Sequence, residues 1–156
     1  MQPDETAERT AGWIRAEAER IMALGDSAPR LARDPVNLAM IENWMEAIGD
    51  DNPVYVDQEF AVASVHGSLV APPAMTQVWT MTGQRDVRDG GDPMSQITKV
   101  LDDAGYTSVV ATNADHVFGR YLRHGERLAL RVRLSGLTGP KRTALGEGWF
   151  FTTRHT

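Results

Sequence analysis

A carboxylate, a carboxamide and a phenol crowd into one short stretch of this chain, Gly49-Asp50-Asp51-Asn52-Pro53-Val54-Tyr55-Val56-Asp57. A carboxylate can orient a water or take its proton. A phenol is a poor proton acceptor at neutral pH, because its pKa is about 10. Asp and Asn beside a proline also form Asx turns, so Asn52 has a purely structural use as well. The other titratable candidates are His66, His116, His124 and His155. His66 stands where a loop enters a predicted helix, His116 in a predicted strand and His124 in a turn. No two of them have the spacing of metal ligands, and a lone histidine is most often structural or solvated. The absence of cysteine excludes a Cys nucleophile, a thiolate zinc site and disulfides.

The elements that must position these groups are helices first and strands last. Ile14, Ala18, Ile21 and Met22 form one stripe of an amphipathic helix over about Asp4–Leu24, stopped by Gly25. A short strand is expected near Leu31. Ile41, Trp44, Met45 and Ile48 mark a second helix from about Asn37 to Ile48, ended by Gly49. A third opens at Pro72-Pro73, where a missing N–H costs nothing, and runs to Met81. Ala74, Met75, Val78, Trp79 and Met81 leave it little polar face, so burial is expected. A fourth starts near Asp92-Pro93 and stops at Gly105. Thr107–Phe118 reads as a strand. Arg127–Leu134 alternates apolar and polar with period two, which is a strand with one buried face. After a turn at Gly139-Pro140-Lys141-Arg142, Thr143–Thr153 reads as another. Ala144, Gly146, Gly148 and Phe150 share one of its faces, and the two glycines there suit close backbone approach. The order predicts an α+β protein.

The chain of 156 residues suits one domain, and its hydrophobic and charged fractions, 42% and 24%, are those of a soluble globular protein. A net charge of −5 argues against nucleic-acid binding, which needs a basic footprint. No apolar run approaches the roughly 20 residues that span a bilayer, and the acidic start Met1-Gln2-Pro3-Asp4-Glu5 is unlike a signal peptide. A cytoplasmic location is expected.

Three segments resemble the MaoC-like hydratase family. Gly49–Asp57 is similar to its motif Gly-Asp-x-Asn-Pro-aliphatic-His. His66-Gly67-Ser68-Leu69-Val70-Ala71-Pro72-Pro73-Ala74-Met75 is similar to the segment leading into the family's central helix. Tyr121-Leu122-Arg123-His124-Gly125-Glu126 is similar to a turn between its strands. The resemblance runs from about Arg33 onward. It implies a hot-dog fold, an antiparallel sheet wrapped around a central buried helix. Residues 1–26 would be a helical segment and 27–156 the hot-dog domain. The chain stops abruptly after Phe150-Phe151, so the last strand and any C-terminal domain are expected to lie beyond Thr156.

In catalytic members the motif Asp and His hold one water and add it across an enoyl thioester. Here Asp50 and Asn52 keep their places, and Tyr55 stands where the resemblance puts His. The implication is a vestigial site, Asp50, Asn52 and Tyr55, with no catalytic residue of its own. Pro72 and Pro73 also offer no N–H where the family polarises the thioester carbonyl at a helix N-terminus, although Ala71 and Ala74 still can. No metal or separate cofactor is expected, with coenzyme A entering as part of the substrate. Lys141 and Arg142 are the candidates for its phosphates, followed by Arg30, Arg33, Arg85 and Arg88; the plain alternative is a solvated hairpin tip.

More narrowly, Asp34-Pro35-Val36-Asn37, Trp44–Asp50, Val70–Met75 and Gly139–Phe150 resemble the MaoC-like domain of the large subunit of actinobacterial steroid side-chain enoyl-CoA hydratases. That resemblance implies a catalytic hot-dog partner in a heterodimer or heterotetramer and a bulky steroid enoyl-CoA. It also implies a thiolase-like aldolase engaged through a C-terminal domain absent from this chain. Two other readings stay open. One is a self-sufficient hot-dog hydratase or thioesterase, with Asp50 as base and His66 or His116 recruited. The other is an acyl-CoA-binding scaffold.

Overall fold

The computed structural model describes residues 3–83, 90–144 and 146–156. Its helices are α1 (Pro3–Ala23), α2 (Leu38–Ile48), α3 (Gln58–Ala63), α4 (Thr76–Thr80) and α5 (Pro93–Asp103). Its strands are β1 (Arg30–Leu31), β2 (Val70–Ala71), β3 (Leu122–Arg123), β4 (Ala129–Leu130), β5 (Val132–Thr143) and β6 (Gly146–His155). All three pairings, β1–β4, β2–β3 and β5–β6, are antiparallel. Among the described residues no helix is long and apolar enough to cross a membrane.

Two compact units emerge. The first comprises the described residues of Met1–Pro29, Val87–Thr112 and Arg131–Thr156. In it α1 packs against β5 and α5, and α5 packs against both strands of the β5–β6 hairpin. Ile14, Ala18, Ile21, Ile97, Val100, Leu101 and Leu134 form its buried core. The expected stripe of α1 is therefore the buried one. Gly25 stops α1 in the left-handed conformation (φ 73°). The chain is then stitched to the start of β5: Ser27 N–H donates to the Val132 carbonyl at 2.8 Å, and Val132 N–H donates to Ser27 Oγ at 3.0 Å.

The second unit comprises the described residues of Arg30–Asp86 and Asn113–Leu130. Its core joins Val36, Ile41, Met45, Val54, Tyr55, Ala61, Val70, Ala71, Met75 and Trp79. Extended residues 30–36 run antiparallel to residues 125–130. Ala32 N–H donates to Leu128, Val36 N–H to Glu126 and Gly125 N–H to Val36, each at 2.8 Å. Arg127 reinforces this contact from its side chain, donating to the Ala32 and Arg33 carbonyls at 2.8 Å each.

Several expectations need correction. Thr107–Phe118 forms no strand and makes no backbone pairing among the described residues. The third helix opens as a 3-10 turn at Pro73–Met75 and is α-helical only over Thr76–Thr80. Met75 and Trp79 are buried as expected, but Met81 is extended and 70% exposed. On α2, Ile41 and Met45 are buried while Ile48 is 57% exposed, because the helix ends before that turn of the stripe meets the core. Gly139–Arg142 is not a hairpin tip; it lies within β5, where the register shifts between Thr138 and Lys141. The glycine that the packing needs is Gly139. A Cβ there would sit 2.8 Å from the Trp149 ring, whereas Gly146 and Gly148 have no such neighbour within 4 Å.

Replacing a fully buried aliphatic side chain in a core this small should cost about 2–5 kcal/mol. Ile21→Ala is expected to lower the unfolding free energy by that amount in urea, while Leu24→Ala, at an exposed position just past the end of α1, should change it by under about 0.5 kcal/mol.

Candidate functional site

The Asp50–Tyr55 segment is built by turn chemistry. Gly49 ends α2 with φ 71°, and its N–H and that of Asp50 both reach the Met45 carbonyl. Asp50 Oδ1 accepts from the Asn52 N–H at 3.1 Å. Asn52 Oδ1 in turn accepts from the Val54 N–H at 3.3 Å and caps a 3-10 turn over Pro53–Tyr55. Asp57 Oδ1 accepts from the Phe60 N–H at 3.0 Å and caps α3. Both motif side chains thus make the Asx turns that their sequence context allows.

Tyr55 is drawn into the core of the second unit, with 7% of its surface exposed. Its phenol is hydrogen-bonded by the Asn52 side chain. Burial pushes the phenol pKa above its usual value, and the nearby Tyr121 and Asp50 push the same way, against the Asn52 bond. A phenol raised above its usual value is almost wholly protonated at neutral pH. Tyr55 is therefore less often available as a base than a free tyrosine.

Tyr121 was not among the sequence candidates. Its ring packs on His66 with centroids 4.5 Å apart, inclined by 51°. Nothing in the spacing of positions 66 and 121 announces this pair; the β2–β3 ladder creates it, with Val70 opposite Arg123 and Ala71 opposite Leu122. The turn after Tyr121 is held by Glu126, whose Oε2 accepts from Arg120 Nη1 at 2.8 Å and from the Arg123 N–H at 2.9 Å.

The other candidates fall elsewhere. His116 stacks on Phe118, with centroids at 5.9 Å. His155 Nε2 lies 3.1 Å from Thr153 Oγ1. Among the described residues no hydrogen bond joins Asp50 to an imidazole, and no group of three or more potential ligands gathers as a metal site. Lys141 and Arg142 belong to the first unit. The Lys141 ammonium sits 5.6 Å from the Phe150 ring centroid, and Arg142 faces Glu147 across the β5–β6 ladder. Arg30 donates to the Thr80 carbonyl and Arg33 to Asp34, whereas Arg85 and Arg88 lie outside the described residues.

A hot-dog domain of the MaoC-like hydratase class is what this architecture and this motif define. The chain belongs to the FAS1-like, dehydratase domain region family, whose model matches residues 24–156. It is 56% identical over 137 residues to the 3-oxo-4,17-pregnadiene-20-carboxyl-CoA hydratase alpha subunit of Mycobacterium tuberculosis, covering 88% of this chain and 44% of that protein. It is 39% identical over 161 residues to a probable enoyl-CoA hydratase alpha subunit of Thermomonospora curvata, covering 100% of this chain and 47% of the relative. The chain thus spans about half the length of the curated relatives it matches. Among solved structures it superposes on the crystal structure of the ChsH1–ChsH2 complex from Mycobacterium tuberculosis with a TM-score of 0.86 and 54% identity, covering 91% of this chain and 84% of the matched one.

Two titrations follow from these surroundings. In an ultraviolet pH titration, the difference between the native chain and Tyr55→Phe should appear only above the usual phenol range of about 10. Glu126 is held below the ordinary carboxylate value, first by the Arg120 bond and then by the Arg123 N–H. Its stabilisation is therefore complete above the unfolded value of about 4 and is lost as the pH falls through the lower folded value. The stability gap between the native chain and Glu126→Gln, followed by urea unfolding from pH 6 to pH 2, should shrink towards zero at the acid end.

Proposed function

We propose that this chain is the non-catalytic hot-dog half of a heteromeric enoyl-CoA hydratase. Its substrate is a bulky steroid side-chain enoyl-CoA met in steroid catabolism, in the cytoplasm. The observation that carries the reading is Tyr55, a buried phenol with a raised pKa where the family motif calls for an imidazole. Water addition to an enoyl thioester needs a proton acceptor near neutral pH, and this position cannot provide one. Asp50 and Asn52 remain as turn formers. The working pair then resides in the partner, and this chain supplies walls for the acyl group. The names of its relatives support both the reaction class and the steroid substrate.

The partner reading is supported by the segment Thr107–Phe118. Among the described residues its backbone donors and acceptors pair with no other segment. Val109, Val110, Val117 and Phe118 on it are between 49% and 98% exposed. Unpaired backbone beside exposed apolar side chains is a surface that another chain can cover. An interface of obligate type would cover it. The ChsH1–ChsH2 complex on which the chain superposes has two named components, which agrees with a catalytic hot-dog subunit as that other chain. On the same reading, a thiolase-like aldolase is a further partner of the full protein.

Two experiments test this assignment. The chain purified alone should hydrate no enoyl-CoA, and activity should appear on adding the catalytic hot-dog subunit; turnover by the isolated chain would defeat the division of labour. In the assembled complex, Asp50→Ala should change kcat by no more than about twofold with the fold intact. A fall of several orders of magnitude would place the working acid–base pair here instead.

A further inference from the structure

The β5–β6 hairpin of the first unit has two faces of opposite character. Leu134, Leu137, Trp149 and Phe151 pack into the core. The ladder sets Arg133 opposite Arg154, Thr138 opposite Phe150 and Lys141 opposite Gly148, and these pairs share the outer face. Arg131 stands two residues before Arg133 and exchanges both backbone hydrogen bonds with Thr156, so it lies on that face too. Among the described residues the charged groups of the outer face are Arg131, Arg133, Lys141 and Arg154. All four are cations and all are exposed, in a chain whose net charge is −5. Asp26, just after α1, is the only carboxylate paired to any of them among the described residues. Its Oδ1 accepts from Arg133 Nε at 2.8 Å. That bond, with the charges of Arg133, Arg131 and Arg154, holds the Asp26 carboxyl below its ordinary value. Arg131, Lys141 and Arg154 keep no acidic partner. The middle of the face is open: a Cβ on Gly136 or Gly148 would meet nothing within 4 Å, and Phe150 is 39% exposed.

A row of cations on an open face attracts negative charge, and its dimensions select the source. Arg131 and Lys141 lie ten residues apart on one strand, about 30 Å at roughly 3.3 Å per residue. No small anion spans that distance, so the complement is a row of negative groups. Three of the four cations are arginines, whose planar fork grips a carboxylate with two parallel N–H donors. Protein interfaces favour arginine and aromatic side chains over lysine, and Phe150 stands between the two ends of the row. A bilayer or a nucleic acid extends well past such a patch. Beyond a Debye length of about 8 Å it meets a chain whose other charges sum to a negative value. A compact protein face avoids that repulsion. We infer that the outer face of β5–β6 docks an acidic segment of a partner protein. Arg131, Arg133 and Arg154 grip its carboxylates, and Phe150 and Lys141 continue the contact. This surface belongs to the first unit and the Asp50–Tyr55 motif to the second, so docking requires nothing of the hydratase chemistry.

The test uses the full-length protein and three labelled probes: a decaglutamate peptide, a phosphatidylglycerol vesicle and a short DNA duplex. Binding is followed by fluorescence anisotropy or co-sedimentation at physiological salt, with urea unfolding as the check on folding. The peptide is expected to bind the native protein, and the double variant Arg131→Gln/Arg154→Gln to weaken it about tenfold. Arg131→Lys/Arg154→Lys should recover part of that loss. Arg9→Gln, which removes one positive charge from α1, should change the affinity by less than about twofold. Should the double variant unfold more easily, Arg154→Gln alone carries the comparison, because its side chain makes no hydrogen bond among the described residues. Equal peptide affinity in the native protein and the glutamine variants would overturn the docking surface. So would a loss in Arg9→Gln as large as that in Arg154→Gln, which would reduce the effect to net charge. Vesicles or DNA bound more tightly than the peptide, with the same dependence on Arg131 and Arg154, would overturn the acidic protein in favour of a membrane or a nucleic acid.

Discussion

The backbone N–H groups drawn towards the core between α2 and α3 have to find acceptors while the chain leaves one helix, turns and enters another. Met45 O takes the Gly49 and Asp50 amides, and Pro53 O takes those of Val56 and Asp57. Asn52 O takes that of Tyr55, and side chains supply three more: Asp50 for Asn52, Asn52 for Val54 and, in the first turn of α3, Asp57 for Phe60. A buried or half-buried amide left without a partner costs as much as a lost hydrogen bond, so these acceptors are required by the fold. The same constraint delivers Tyr55 to the core, because the 3-10 turn that Asn52 caps ends on that residue. A position that resembles a water-activating one is thereby occupied by a group serving structure.

The consequence for chemistry is a matter of protonation. Desolvation makes the phenolate of Tyr55 still rarer than in water, and the carboxylate of Asp50 nearby adds to the effect. On the proposed reading, a chain without a proton acceptor at this position is kept for its surfaces. The unpaired run Thr107–Phe118, with its exposed valines, is one such surface, and the part-exposed aromatic pair of His66 and Tyr121 is another. Both are expensive for an isolated chain: the first leaves apolar side chains uncovered, the second leaves rings in water.

Much of this was legible in the residues. The stripe Ile14, Ala18, Ile21 is buried as its spacing requires, and Asn37 and Asp92 cap α2 and α5 where turn chemistry puts them. Period-two alternation around Val132 and Leu134 also survives, with both side chains buried. The misreadings share a cause. Thr107–Phe118 has strand-like composition, but a strand exists only where a second backbone lies alongside, and none does among the described residues. The helix after Pro72-Pro73 is apolar throughout, which says nothing about its length; the chain turns extended at Met81. Gly139-Pro140 reads as a reversal, yet a register shift absorbs it inside β5.

By itself the sequence determined the turn at Asp50–Asn52, the family resemblance and the presence of a phenol in place of an imidazole. Those depend on residue type and on neighbours a few positions away, which local hydrogen bonding and motif spacing report directly. The tertiary structure decided that the phenol is buried, that Tyr121 lies on His66, and that Lys141 covers Phe150. Each of those joins residues through ladder register or core packing. Desolvation and side-chain proximity are set by where distant segments come to rest, and the one-dimensional order of residues carries no direct measure of that.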